Sequence, residues 1–291
     1  MRARYGQGFT LVELVIAISL GAIVMSFAAM FITGPVDAYA AQTRRATLVD
    51  SADAILRLMS RDVRRALPNS VRIARNGNIV ALELLLTVDA VRYRDDDSGA
   101  PDEELDFSQP DEHFSTLGAF DAAAVPKTAG PHEMPPNYLL SVYNVGIAGA
   151  DAYELANVIT PPGTKITIAT DPLIAGKDHV EIDPPMQFAY GSPSHRMYLI
   201  WGAMTYLCDT DAKTVRRYSG YAISSVQPTS AGDMNGASND LVATNVDACN
   251  FAYAAGTAQR AGLVTLDMTV KDAMSDERVR LLHQVHVENV P

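Results

Sequence analysis

The pattern of apolar and polar positions separates a helical N-terminal part from a strand-rich remainder. After a short polar segment that carries Arg2 and Arg4, an uncharged run extends from Leu14 to Ile32. As a helix, a run of this length spans about 28 Å, close to the hydrocarbon thickness of a bilayer. The run therefore predicts a membrane-spanning helix, and the two arginines place its start in the cytoplasm and everything after it outside.

A second helical pattern follows Gly34-Pro35, a pair that we expect to kink or locally melt the helix. We expect Pro68 to end this second part. Its apolar positions recur every three or four residues in one stripe, Leu48, Ala52, Ile55, Met59, Val63 and Leu67. The opposite face carries Arg44, Arg45, Arg57, Arg61, Arg64 and Arg65. That face is either a solvated surface or one that meets acidic loops of neighbouring molecules.

The remainder of the chain has the patterns of strands. Val71–Arg75 and Asn78–Leu86 flank Asn76-Gly77, a dipeptide that signals a type I′ hairpin. Further strands are predicted at Val88–Tyr93, Tyr138–Val145, Lys165–Ala169, Met197–Trp201, Met204–Leu207, Val215–Tyr218, Leu263–Val270 and Val279–Glu288. The last two form a C-terminal hairpin. Residues 121–163 and 171–195 are rich in Pro, Gly and Ala and indicate long connections or an insertion.

Composition narrows the possible functions. The chain has 291 residues and a formal net charge of −11, which argues against a nucleic-acid partner. Cys208 and Cys249 match no zinc spacing. They suit one disulfide in an oxidising compartment, which would contribute about 4 kcal/mol, and the alternative is two buried free thiols. Because the N-terminus directs this part of the chain out of the cytoplasm, we favour the disulfide.

No group of residues indicates a catalytic or cofactor site. The sequence contains no nucleotide-binding, hydrolase or zinc-protease motif, so we expect no enzyme activity and no cofactor. His283 and His286 fall on opposite faces of one predicted strand, and we expect His283 to lie in the core. An acidic stretch offers a weak calcium site, since calcium prefers oxygen ligands, but its spacing is not that of an EF-hand and a solvated loop is the simpler interpretation. The candidate ligands are Asp95, Asp97, Asp102 and Glu104.

The segment before the apolar run carries the most specific signal, Gly8-Phe9-Thr10-Leu11-Val12-Glu13. A cleaved secretory signal would have a shorter apolar core and a small-residue cleavage site. A plain membrane anchor has no reason to carry Glu13, because a charge in the membrane costs about 2.5–3.5 kcal/mol at its centre. The hexapeptide resembles the prepilin peptidase site of type IV pilins and type II secretion pseudopilins.

The resemblance implies what each residue of the motif does. Cleavage follows Gly8, Phe9 becomes the methylated N-terminus, and Glu13 serves assembly by pairing with the N-terminal ammonium of a neighbouring subunit. Such a pair would offset the cost of burying either charge alone. The implied segments are a leader at 1–8, a transmembrane and assembly helix at 9–33, an amphipathic continuation at 34–67 and a β-rich headgroup at 68–291. The fold class is α+β, with the long helix packed on an antiparallel sheet.

Three further segments resemble the MshO-type minor pilins of mannose-sensitive haemagglutinin pili. They are Arg61-Asp62-Val63-Arg64-Arg65-Ala66-Leu67-Pro68-Asn69-Ser70-Val71-Arg72, Tyr206-Leu207-Cys208-Asp209 and Arg217-Tyr218-Ser219-Gly220-Tyr221. The arginine-rich helix end is also similar to J-type pseudopilins and PilW-type minor pilins. The resemblance implies a priming or tip-proximal subunit. Because the chain has Glu13, the resemblance also implies that this subunit docks beneath another subunit.

The same resemblance implies the partners and the location. The partners are prepilin peptidase, other major and minor pilins, and the assembly platform of the inner membrane. The chain crosses the inner membrane once, with its headgroup in the periplasm and later in a pilus at the cell surface. The alternatives are a J-type pseudopilin of type II secretion and a tip adhesin. A hydrolase on a pilin anchor is disfavoured because catalytic groups are missing from the sequence.

Overall fold

A computed structural model of the chain describes residues 8–95, 103–127, 130–172, 175–256 and 261–288. One long helix, α1 (Leu11–Arg64), is followed in this part of the chain by antiparallel strands. The predicted α+β class is confirmed. The chain divides into two compact units, residues 1–50 and residues 51–291.

The strands of the second unit form three antiparallel sheets. They are β1 (Arg72–Asn76), β2 (Ile79–Arg92), β3 (Asp111–Ser115), β4 (His132–Glu133), β5 (Leu139–Val142), β6 (Lys165–Thr170), β7 (Asp178–Met186), β8 (Arg196–Asp209), β9 (Thr214–Tyr221), β10 (Ser238–Thr244), β11 (Val246–Ala254), β12 (Gly262–Lys271) and β13 (Arg278–Val287). Short 3₁₀ turns lie at Ala152–Glu154 and Ala231–Asp233.

The largest sheet has the order β1-β2-β8-β9-β10, and β5 also pairs with β8. The predicted hairpin between its first two strands is present, but Asn76 pairs with Ile79, so its loop is Gly77-Asn78. Gly77 has a φ of +56°, a conformation that suits glycine. Predicted strands on either side of Thr87 join into the single strand β2, with register shifts around that residue.

A four-stranded sheet, β3-β7-β6-β4, lies in the sequence between β2 and β8, which pair directly with each other. The insertion predicted from the Pro- and Gly-rich composition therefore contains a sheet of its own. Strand β7 occupies part of residues 171–195, where no strand was predicted. Its Pro184 and Pro185 fall at the register shift against β3, where the ladder of hydrogen bonds is already interrupted.

The third sheet has the order β11-β12-β13 and contains the predicted C-terminal hairpin. Residues 51–64 of α1 belong to the same unit as the three sheets. Their side chains Leu56, Met59 and Val63 are fully buried, and Met59 and Val63 are members of the predicted apolar stripe. The apolar face of this part of the helix is thus a core face.

The helix itself differs from the expectation at Gly34-Pro35. It continues through the pair, with Pro35 inside it, so the expected local melting is wrong. Proline removes one N–H donor and costs about 3 kcal/mol in a helix interior. The long helical runs on both sides keep their own hydrogen bonds, and a single missing bond does not end the helix.

The end of α1 also differs, because the helix ends at Arg64 and not at Pro68. Its last turn tightens into i→i−3 hydrogen bonds. The N–H of Leu67 then donates to the carbonyl of Leu85 in β2 at 2.8 Å. The helix ends where the sheet supplies the next backbone partner.

Candidate functional site

The start of α1 brings the motif residues together. Glu13 lies in the first turn, and its N–H donates to Oγ1 of Thr10 at 3.3 Å. In return, the N–H and the hydroxyl of Thr10 donate to Oε2 of Glu13, both at 3.5 Å. This reciprocal pattern is a capping box, in which a threonine precedes the helix and a glutamate is its third residue.

The capping box gives Glu13 a role within its own chain. The capping box provides acceptors for N–H groups that have no partner inside a helix. It also places the Glu13 carboxylate where the helix dipole favours a negative charge. The signal was present in the sequence, since Thr-x-x-Glu before an apolar run is typical of a helix start. The predicted role of Glu13 in assembly does not include this capping role.

The residues of the predicted cleavage site are accessible. Gly8 is exposed, and no described atom lies within 4 Å of the position that a Cβ on it would occupy. The side chain of Phe9 is 83% exposed. The helix begins only at Leu11. The peptide bond after Gly8 therefore lies outside the helical hydrogen bonds, between two residues that are both exposed.

The side chains that follow are apolar and exposed. Every residue from Leu11 to Tyr39 is exposed, including Met25 and Phe31, whose exposures are 73% and 79%. The most apolar stretch has a mean hydropathy of 2.5, so α1 is long and apolar enough to cross a membrane. Apolar surface of this extent is unfavourable in water, at about 25 cal/mol per Å². It therefore marks contact with lipid or with other proteins.

The polar side chains of this stretch are satisfied within the helix. Ser19, Ser26 and Thr33 each donate a hydroxyl hydrogen bond to the carbonyl four residues earlier, at 2.8, 2.8 and 2.9 Å. Glu13 is the only charged residue between Phe9 and Asp37. Because unpaired polar groups are costly in hydrocarbon, this pattern suits a helix surrounded by lipid or by other apolar helices.

In the second unit, Asp62 ties the end of α1 to the largest sheet. Its carboxylate is 1% exposed and accepts from the hydroxyl of Tyr206 in β8 at 2.7 Å and from Nε of Arg217 in β9 at 3.1 Å. Burial, followed by the negative charge of Asp62, raises the pKa of Tyr206 well above its usual range, so the hydroxyl stays a donor. These three residues come from three separate segments of the sequence.

A second buried carboxylate, Glu83 in β2, contacts side chains of β1 and β9. Nε of Arg72 donates to its Oε2 at 2.6 Å, and the hydroxyl of Tyr221 donates to its Oε1 at 2.9 Å. The Arg72 guanidinium also lies 3.5 Å from the ring centre of Tyr153. Burial raises the pKa of Glu83, while Arg72 and Tyr221 oppose that shift. Arg72 and Tyr221 each donate to one oxygen of the Glu83 carboxylate, so we interpret this cluster as structural.

A disulfide joins Cys208 in β8 to Cys249 in β11, with the Cα atoms 6.4 Å apart. The predicted pairing is thus present in the structure. It connects the largest sheet to the three-stranded sheet and closes a loop across a sequence separation of 41 residues. Nearby, Nη2 of Arg75 in β1 donates to Oδ1 of Asn250 in β11 at 2.6 Å. The two sheets are held by both contacts.

The weak calcium candidates are only partly described. Asp97 and Asp102 lie outside the described residues. Oδ2 of Asp95 lies 2.9 Å from Nε2 of His195, and Glu104 is half-buried. Across the described residues, no group of three or more His, Cys, Asp or Glu side chains is placed to hold a metal ion.

His283 is half-buried and lies with its Nε2 3.4 Å from Oδ1 of Asp53 in α1. The sequence placed it in the core, and the structure places it at the border between core and surface. His286 is exposed. The two histidines do not form a joint site.

Residues 4–29 match the family described as Prokaryotic N-terminal methylation motif. The match includes Gly8, Phe9 and Glu13. No curated protein and no solved structure is significantly similar to the chain.

The chain therefore carries a type IV pilin-like prepilin signal, and the motif supports a type IV pilin-like or pseudopilin protein. The motif belongs to a family of structural proteins, and it covers residues 4–29 of the 291-residue chain. The motif implies processing by prepilin peptidase and assembly with other pilins, and the apolar helix fits an anchor in the inner membrane.

Proposed function

We propose that this chain is a minor pilin of a type IV pilus, similar to the MshO type, and that it serves as a priming or tip-proximal subunit. On this proposal residues 1–8 are a leader, and residues 9–33 span the inner membrane before they enter the fibre. Residues 34–67 continue the helix, and residues 68–291 form a headgroup that passes from the periplasm to the cell surface. The observation that carries the proposal is the accessible Gly8-Phe9 bond followed by an exposed, uncharged helix.

The proposed sequence of events follows from the chemistry of that helix. In the membrane, lipid covers the apolar side chains. Cleavage after Gly8 creates an ammonium group on Phe9, four residues from the Glu13 carboxylate. In the fibre, neighbouring helices replace the lipid, and the ammonium and carboxylate groups of adjacent subunits pair in a medium of low dielectric constant, where opposite charges interact strongly. The inner-membrane assembly platform would bring the subunits together.

The choice of a minor pilin rests on the headgroup. The chain has 291 residues, and major pilins of the family that it resembles are usually shorter, so the length favours a minor subunit. The three segments that resemble MshO-type pilins, distant in sequence, supply the contacting residues Asp62, Tyr206 and Arg217. Proteins that share this structural core would keep the residues that join the helix to the sheet. This is a reason for the three segments to be similar to those of MshO-type pilins.

Deletion of the gene tests the role, with the wild-type gene restored on a plasmid as the control. Fibres on the cell surface are counted by electron microscopy, and adhesion and protein secretion are measured on the same cells. Loss of fibres, recovered on complementation, is the expected result. Normal fibres that no longer adhere would replace the proposal with a tip adhesin. Normal fibres with lost secretion would replace it with a J-type pseudopilin.

A further inference from the structure

A groove of about 440 Å³ runs beside the end of α1. Its lining includes Arg64 and Arg65 at the helix end, Thr87 of β2 and Arg196 of β8. All of these residues belong to the second unit. The groove lies on the arginine-rich face for which the sequence left open a contact with acidic loops.

Arg64 and Arg65 differ from the arginines one and two turns earlier. Arg57 forms an ion pair with Asp53 at 2.6 Å, and Nε of Arg61 lies 3.6 Å from Oδ1 of Asp62. Arg64 and Arg65 are exposed, and neither has an ion-pair partner within the described part of the chain. Their guanidinium groups are available to an external acceptor.

The acidic residues that line the groove are already engaged. Oδ1 of Asp89 accepts from the N–H of Ala90 at 2.8 Å, and its Oδ2 accepts from the N–H of Asp121 at 2.7 Å. Glu288 lies 3.4 Å from Arg196 and partly balances it. The three arginines of the lining outnumber its two carboxylates, so the groove carries a net positive charge, and its two arginines without an ion-pair partner among the described residues lie at the helix end.

The donors of the groove are its two exposed arginines, since Oγ1 of Thr87, another lining residue, is shielded from solvent. A guanidinium binds a carboxylate through two parallel hydrogen bonds, so Arg64 and Arg65 match a carboxylate ligand.

We propose that this groove binds a carboxylate-bearing segment of a neighbouring fibre subunit, with Arg64 and Arg65 as the recognition residues. The inference rests on the proposed function, which supplies the neighbour. A chain with a net charge of −11 repels acidic partners over most of its surface. A local cationic groove therefore directs an acidic partner to one position on this chain and fixes how the two are aligned. A competing explanation is that both arginines only complement the dipole at the end of α1.

The test measures peptide binding by the full-length chain in detergent micelles at low salt. The probe is a fluorescently labelled peptide of alternating glutamate and glycine, followed by anisotropy, with the glutamine counterpart as the neutral probe. The variant is Arg64→Gln with Arg65→Gln. The control is Arg44→Gln with Arg45→Gln, which removes the same charge from another adjacent pair of arginines, both within α1.

We expect the wild type to bind the acidic peptide and not the neutral one. The groove variant should lose about tenfold in affinity, as two surface charge pairs of about 0.7 kcal/mol each would give. The control variant should lose less than about twofold, the residual effect of long-range charge. Absence of binding by the wild type, or equal losses in both variants, would overturn the inference. The assay needs neither cleavage nor a fibre, so its failure would leave the proposed function standing.

Discussion

The hydroxyl of Tyr206 in β8 lies 2.7 Å from Oδ2 of Asp62, a buried carboxylate in the last turn of α1. Arg217 of β9 donates to the same oxygen, so one carboxylate oxygen links a helix to two neighbouring strands. A buried charge of this kind is tolerated only when it is hydrogen-bonded and paired. The contact holds the end of the long helix on the headgroup sheet.

Replacement of Asp62 should destabilise the headgroup strongly. Asp62→Ala leaves the Arg217 charge and the Tyr206 hydroxyl without their partner, and we expect a loss of about 3 kcal/mol in the free energy of unfolding. Tyr206→Phe removes one hydrogen bond to a charged group and should cost about 2 kcal/mol. Urea unfolding in detergent, followed by near-UV circular dichroism, measures both. Arg64→Gln, which replaces an exposed arginine without an ion-pair partner among the described residues, is the control and should change stability by less than about 0.5 kcal/mol. An Asp62→Ala variant as stable as this control would refute the role of the contact.

The disulfide should contribute a large part of the stability of the headgroup. Replacing both Cys208 and Cys249 by alanine should lower the free energy of unfolding by about 4 kcal/mol, since the bond closes a long loop in the unfolded chain. The same urea titration with and without reductant tests this. Reductant should destabilise the wild type and leave the double variant unchanged. Equal stability of the oxidised wild type and the double variant is the contrary result.

Glu83 should make stability depend on pH. Burial raises its pKa above the ordinary value of 4.5, with Arg72 and Tyr221 opposing the shift. The folded state then binds the proton more tightly than the unfolded chain. The resulting stabilisation is fully present below pH 4.5 and is lost as pH rises through the pKa of the folded protein.

Glu83→Gln should remove this pH dependence. Relative to the wild type, the variant should therefore gain stability as pH rises from 4.5 toward neutrality. The measurement is urea unfolding at several pH values across this interval. Glu112→Gln, which replaces an exposed glutamate, serves as the control and should follow the wild type. A constant difference between Glu83→Gln and the wild type over the interval would contradict the prediction.

Glu13 has two separable roles, as a helix cap and as a charge. Glu13→Gln keeps the capping box, because glutamine serves at the third helix position, but removes the charge. Glu13→Leu removes both. If pairing with a neighbouring N-terminus drives assembly, both variants should be cleaved normally and should enter fibres about tenfold less than the wild type, equivalent to about 1.4 kcal/mol.

The assay compares sheared fibres with membrane fractions by immunoblot. Thr10→Ala, which weakens the cap and keeps the charge, should enter fibres nearly as well as the wild type. Normal incorporation of Glu13→Gln would show that the cap, and not the charge, is what assembly requires.

Local signals predicted a large part of this fold. The apolar run, the stripe containing Met59 and Val63, and the hairpin between β12 and β13 depend on residues close in sequence, whose periodicity is visible directly. The hairpin loop at Gly77 was displaced by one residue, because register is set by the pairing of whole strands as well as by the turn.

The features that the sequence missed depend on distant residues. Strand β7 contains two prolines, and only the register shift against β3 shows why they are tolerated there. The contact between Asp62 and Tyr206 spans 144 positions and has no local pattern. The groove at Arg64 is lined by Thr87, where the register of β2 against β8 shifts, and by Arg196 of β8. The capping box at Thr10 is different, because its local signal, Thr-x-x-Glu before an apolar run, is visible in the sequence.

The central claim is that the chain is a precursor whose functional N-terminus is Phe9. The direct measurement is N-terminal sequencing and intact mass of the protein isolated from membranes of cells that express prepilin peptidase, with peptidase-deficient cells as the control. The account predicts a chain that begins at N-methylated Phe9 followed by Thr10 and Leu11, and an uncleaved chain in the control. A protein that still begins at Met1 in the presence of the peptidase, or that is cut at another bond, would contradict it.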